Sequence, residues 1–247
     1  MRDKDDLIFG IRAVIEAIRF GKDIDRVLIK RGLKGELFKE LMNEIKENSI
    51  SFQYVPEEKL NRVSRKNHQG VIAFISPVTF YKIEDIIANV FEKGETPFIL
   101  ALDGVTDVRN FGAIVRTAEC AGVHAIVVPE KGSVRIGADA VKTSAGALHK
   151  LPICKVTGLK QGLEYIQQCG ITLFGASEKA NENYFLHNFN KPVCIVMGAE
   201  DTGLSNDVIR LCDHLIKIPI LGEIQSLNVS VAASVLIYDV VRQRTTK

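Results

Sequence analysis

The sequence predicts an α/β protein in two parts: a small α/β domain, then a larger domain built on a mostly parallel sheet. From residue 96 onward, short and nearly continuous apolar runs at 98–102, 125–128, 171–176, 193–197 and 215–218 alternate with segments of helical periodicity. That is the pattern of parallel strands covered by helices on both faces. Residues 7–75 carry a shorter alternation of their own, which sets them apart as a separate unit. With 247 residues, 46% of them hydrophobic, the chain can bury a core in each part. The expected boundaries are 1–76 for the small domain, 77–95 for a bridge, and 96–247 for the larger domain.

In the small domain, Ile11, Val14, Ile15 and Ile18 mark one helical face and Leu37, Leu41 and Ile45 a second. Val27-Leu28-Ile29 and the runs 52–55 and 71–75 read as strands. Between the last two lies a polar insert, residues 61–70, with Arg62, Arg65 and Lys66 among amide side chains, His68 and Gln69. Without apolar periodicity it is expected as an exposed loop, either a solvated connection or a set of phosphate contacts. In the bridge, Ile83, Ile86, Ile87, Val90 and Phe91 recur at helical spacing, so part of it should dock as a helix. The final segment, 229–244, is apolar on most sides and is expected to be buried against something large.

The net charge of +2 neither requires nor excludes a nucleic-acid partner, which needs only a local basic patch. Residues 1–78 hold 15 Lys and Arg against 12 Asp and Glu, so the basic excess is N-terminal. Five cysteines, Cys120, Cys154, Cys169, Cys194 and Cys212, show no C-x-x-C or Cys/His ligand spacing, so neither a metal nor disulfides are expected. They read as small buried hydrophobes in a reducing, cytoplasmic setting. No signal peptide, transit peptide or apolar run long enough to span a membrane is read.

Three motifs carry the chemistry. The first is Asn110-Phe111-Gly112 with Arg116, the second runs from Gly198 through Glu200 and Gly203 to Ser205, and the third is Ile218-Pro219 followed by Ser226-Leu227-Asn228. Each follows a predicted strand, where functional groups of such sheets collect. Gly198 and Gly203 bracket Glu200 after Met197, giving a turn whose backbone can approach a ligand closely. Ser226 or Asn228 stands where the last helix must begin. Taken singly, each has a plainer reading: Asn110 as a helix cap, Arg116 as a solvated charge, and the 198–205 segment as an ordinary strand-to-helix turn. There is no G-x-G-x-x-G after a strand and no Walker-type loop, so hydride and phosphoryl transfer have no support.

In order and spacing these motifs resemble those of the SpoU branch of the SPOUT methyltransferases, which methylate ribose 2′-hydroxyls of structured RNA. The small domain, with His68-Gln69-Gly70, resembles that family's L30e-like RNA-binding domain. The resemblance implies a C-terminal deep trefoil knot, a homodimer and S-adenosylmethionine as cofactor. It is nearest to the bacterial enzymes that methylate a guanosine of 23S rRNA, on naked RNA or a ribosome precursor, with tRNA guanosine enzymes as the alternative.

By the same resemblance Arg116, Asn110, Glu200, Ser226 and Asn228 are the catalytic positions. Gly198, Ile218 and Leu227, with Met197 and Gly203, would hold the cofactor, and Arg62, Arg65, Lys66, His68 and Gln69 the RNA. A guanidinium does not readily give up its proton, so Arg116 is expected to stabilise negative charge on the ribose oxygen. Asn110 would orient Arg116 or the ribose, and Glu200 would fix the loop or the arginine. Where the family usually places a proline, this chain has Val108. A non-catalytic ribosome-assembly factor is disfavoured because Asn110, Arg116 and Glu200 are all intact.

Overall fold

The computed structural model describes residues 7–48, 50–134, 136–224 and 226–246. The chain divides into two compact units between Thr79 and Phe80.

The first unit contains β1 (Leu7–Phe9), α1 (Ile11–Arg19), β2 (Ile24–Lys30), α2 (Glu36–Glu47), β3 (Phe52–Val55), α3 (Glu57–Val63) and β4 (Val71–Ile75). Its sheet has the order β1-β4-β2-β3, with β4 antiparallel to both neighbours and β2 parallel to β3. The helical spacing explains the layering. Val14, Ile15 and Ile18 of α1 and Leu41 and Ile45 of α2 close over Val27, Ile29, Val71 and Ala73. On the opposite face Leu28, Ile72 and Phe74 meet Val55 and the fully buried Leu60 of α3. The insert expected as a loop over 61–70 therefore begins inside a helix: Leu60 anchors α3, which carries Asn61, Arg62 and Val63 with it.

The second unit contains β5 (Phe80–Tyr81), α4 (Ile83–Glu92), β6 (Phe98–Asp103), α5 (Val108–Cys120), β7 (Ala125–Pro129), α6 (Ala138–Thr143), β8 (Ile153–Val156), α7 (Leu159–Gln168), β9 (Thr172–Ala176), β10 (Glu182–Asn183), β11 (Val193–Gly198), α8 (Asn206–Leu211), β12 (His214–Lys217) and α9 (Val229–Thr245). Eight strands form one sheet of order β10-β12-β9-β11-β6-β7-β8-β5, and every described pairing in it is parallel. β11 and β6 lie at its middle, so the loops that follow them emerge side by side. The stretch 77–95 supplies β5, which pairs with β8, and α4, whose Ile83 and Ile87 join the core formed by α7, α8 and the sheet.

On the other face α5 packs against α6 and α9. Gly112 permits the first of these contacts, since a Cβ there would run into the side chain and main chain of Thr143. α9 buries Ala233, Leu236, Ile237 and Val240 yet leaves Val231 and Tyr238 about half exposed, so this helix retains an outward apolar face. At its end Arg244 donates to four main-chain oxygens: Phe189 (3.0 Å), Thr96 (2.9 Å), Pro97 (3.0 Å) and Lys191 (2.8 Å). Of the cysteines, Cys154 and Cys194 are buried, and burial pushes the Cys154 thiol up to about 12. Cys169 and Cys212 are part-buried, whereas Cys120, expected inside, is exposed. No described helix is long and apolar enough to cross a membrane.

Candidate active site

The site assembles where the chain leaves β6 and β11 and enters α9. After β6, Asp107 caps α5 by accepting hydrogen bonds from the N–H groups of Arg109 (2.8 Å) and Asn110 (2.9 Å). Val108 is the first residue of that helix, a position where the missing N–H of a proline is harmless. The Asp107 cap holds the turn without one. After β11, Ala199 and Gly203 exchange two main-chain hydrogen bonds (3.1 and 2.9 Å), and Gly203 takes φ +69° to close the turn. Asp103, the last residue of β6, accepts a bond from the Ser205 N–H at 2.7 Å and ties this loop to the neighbouring strand. Gly198 has a different reason from the one expected. A Cβ on it would collide with the Gly203 main chain and the Leu204 nitrogen, so its smallness serves the loop's own backbone.

The three motifs are joined by side chains. Asn110 Nδ2 donates to Glu200 Oε2 at 3.0 Å. Asn228 Nδ2 donates to Asn110 Oδ1 at 3.0 Å and to Glu200 Oε1 at 3.2 Å. Asn228 Oδ1 accepts from the Ser230 N–H (2.9 Å) and hydroxyl (2.6 Å), so the same residue caps α9. Both amides are thus held in one orientation, and the Glu200 carboxylate receives two N–H donors.

Beside this network lies a cavity of about 310 Å³. All five residues expected at a cofactor, Met197, Gly198, Gly203, Ile218 and Leu227, line it, together with Glu200 and Ser226. Ile216 and Leu236 add apolar wall, and the end of β9 contributes Ala176, Ser177 and Lys179, which the motif reading missed. Their signal was positional: the 171–176 run ends on the same side of the sheet as the motifs. The volume, the apolar walls and the main-chain groups of two loops suit a flat, largely neutral ring with a polar tail.

Arg116 stands apart. It is exposed on α5, about 9 Å along the helix from Asn110 and roughly 120° around it. Among the described residues it makes no hydrogen bond or ion pair, and it does not line the cavity.

In the first unit, Arg62, Arg65 and Lys66 line a concavity of about 850 Å³ with Phe9, Asn61 and Ser64. Lys66 Nζ lies 5.3 Å from the centre of the Phe9 ring. His68, expected to contact RNA, is only 6% exposed. Its Nδ1 accepts from the Gly70 N–H at 3.0 Å and its Nε2 lies 3.1 Å from Asn61 Oδ1, so both ring nitrogens hold the turn. Gln69 is exposed with φ +48°, and its side-chain oxygen lies beside Gly10.

The chain is similar to known proteins along nearly its whole length. Residues 97–238 match the SpoU rRNA Methylase family. The chain belongs to that family. Residues 7–81 match RNA 2'-O ribose methyltransferase substrate binding. This SpoU protein is 35% identical over 245 residues, 99% of its length and 98% of the relative's, to the putative TrmH family tRNA/rRNA methyltransferase YacO of Bacillus subtilis (strain 168). An AdoMet-bound rRNA methyltransferase from Sinorhizobium meliloti superposes with a TM-score of 0.62 at 22% identity, covering 98% of this chain and 88% of that one. The A. aeolicus TrmH/SpoU tRNA modifying enzyme gives 0.53 at 28% identity, covering 65% and 83%. Membership makes the chain a SPOUT-fold RNA methyltransferase that uses S-adenosylmethionine, and it implies the knotted C-terminal topology, an exception among folds.

Proposed function

We propose that this SpoU enzyme methylates the ribose 2′-hydroxyl of a guanosine in 23S rRNA, binding the RNA through its first unit. The observation that carries the reading is the Glu200–Asn110–Asn228 network at the mouth of the 310 Å³ cavity. S-adenosylmethionine supplies an electrophilic sulfonium methyl. The chain's part is positioning and charge. Met197, Ile218 and Leu227 enclose the cofactor, while Glu200 and Asn228 lock the loops that form its rim. Ser226 completes the cleft. Arg116, exposed and uncommitted, meets the ribose–phosphate of the incoming RNA and stabilises negative charge on the 2′-oxygen. Arg62, Arg65 and Lys66 hold phosphates, with the Phe9 ring offering a stacking surface.

Ribosomal RNA is favoured because residues 97–238 match the SpoU rRNA Methylase family. A tRNA guanosine is the second reading, supported by the Bacillus subtilis relative, whose name carries both RNAs. Leu221 (99% exposed) and Ile224 (79%), and Val231 and Tyr238 of α9, are apolar side chains open to solvent, and we infer that a second copy covers them in a homodimer.

The test is to incubate the protein with tritiated S-adenosylmethionine and either unmodified 23S rRNA or bulk tRNA, then map the labelled ribose. Label at one rRNA guanosine is the expected result. Label in tRNA selects the second reading, and label in neither RNA despite cofactor binding overturns both.

A further inference from the structure

We propose that Glu182, His187 and His214 form a site for one divalent transition-metal ion of the zinc class, which clips the segment after β9 onto β12. This departs from the sequence expectation of no metal and is independent of the choice of RNA. One potential ligand atom from each residue lies within 4.8 Å of the others. Two imidazoles and a carboxylate select zinc, cobalt or nickel over magnesium or calcium. Tetrahedral metal–ligand bonds of about 2.0–2.2 Å set the ligand atoms about 3.4 Å apart, so from that limit they need to close in by up to roughly 1.4 Å.

The backbone brings the three together. Glu182 begins β10 and pairs with Ile216 of β12, the strand that His214 opens. His187 follows a 3-10 turn, Tyr184–Leu186, and α9 grips the main chain there: Gln243 Nε2 donates to the His187 carbonyl (3.0 Å), and Gln243 Oε1 accepts from the Phe189 N–H (2.8 Å). Phe174 walls the cluster, edge-on to the His187 ring at 5.4 Å and stacked on His214 at 5.1 Å. Glu182 and His214 are exposed, which leaves an entry path and room for a water ligand.

An unmet need points into this cluster. His187 Nε2 is buried and, beyond Glu182 Oε2 at 3.1 Å, meets no polar partner among the described residues. A buried nitrogen left in that condition is costly, and a metal bond satisfies it. The clipped span, 182 to 214, contains β11, the Ala199–Gly203 turn and α8, so the ion would brace the strand whose Ile216 lines the cavity.

The experiment uses the full-length, tag-free chain stripped with a chelator and titrated with cobalt(II) near neutral pH. One equivalent should produce visible d–d bands that zinc(II) bleaches, and one equivalent of zinc(II) should raise the melting temperature. Glu182→Gln and His214→Ala, both at exposed positions, should each weaken cobalt binding by at least about tenfold with an unchanged circular-dichroism spectrum. Absence of the bands, or parental cobalt affinity in either variant, overturns the proposal and leaves the cluster as packed side chains without a metal.

Discussion

Asn228 does two jobs that different substitutions separate. Its Oδ1 caps α9, and its Nδ2 joins Asn110 to Glu200. Serine at this position keeps a capping oxygen but is too short to reach Glu200, whereas alanine removes both functions. The cap contributes about 1 kcal/mol. The two amide bonds, being solvent-accessible, lie at the low end for hydrogen bonds and together contribute about 1 kcal/mol. Asn228→Ser should therefore cost about 1 kcal/mol and Asn228→Ala about 2 kcal/mol. For a unit of this size those costs lower the melting temperature by roughly 2–4 °C per kcal/mol. The chain has no tryptophan, so urea and thermal unfolding are best followed by far-ultraviolet circular dichroism. Methyl transfer to RNA should fall equally in both variants, because both lose the link to Glu200. The capping argument fails if serine is as destabilising as alanine, and the catalytic argument fails if the serine variant transfers methyl at the parental rate.

Arg116→Ala should leave the melting temperature unchanged, since the side chain has no partner among the described residues, yet lower methyl transfer at least a hundredfold with cofactor affinity intact by calorimetry; retained turnover refutes its role. Gly112→Ala drives a methyl group into Thr143, whose hydroxyl also bonds the Val108 carbonyl at 3.2 Å, and should cost about 1–3 kcal/mol in urea unfolding. An unchanged midpoint would show that α5 and α6 can separate freely. Replacing Arg62, Arg65 and Lys66 together by alanine should reduce the slope of log affinity for RNA against log salt by about 2. A slope equal to that of the parent removes these cations from the RNA contact. Leu221→Asp with Ile224→Asp should convert a dimer to a monomer in sedimentation analysis, and a monomeric parent would refute the inferred interface.

The elements that the sequence revealed are those with enough length to show a period. α1, α2 and α4 and the central strands β6, β7, β9 and β11 fall where the apolar patterns put them. β1, β5 and β10 have two or three residues each and show no periodicity, so they emerge only through their pairing partners. α3 went unseen because it buries a single large apolar side chain, Leu60. At the site, Asn110 and Glu200 are 90 positions apart and Asn110 and Asn228 are 118 apart, separations that no local pattern connects. Family resemblance suggested these residues, but spacing alone could not have supplied their hydrogen bonds. His68 shows the opposite failure: a polar residue in a polar run, it turns inward because the Gly70 amide and the Asn61 side chain occupy both its nitrogens. His187 and His214 were overlooked as a pair because a strand, a turn and a helix intervene.

Arg244 sets an order of events for a growing polypeptide. Its guanidinium gathers the carbonyls of Thr96 and Pro97, just ahead of β6, with those of Phe189 and Lys191, just ahead of β11. Both entrances to the central strands thus stay unclamped until a residue made some 150 positions after the first of them leaves the ribosome. The small N-terminal unit, whose contacts are complete by Thr79, can fold during synthesis, but the catalytic unit is finished only once α9 arrives. Nascent chains paused before that helix expose the apolar surface that α9 later covers, and chaperones are expected to hold them there.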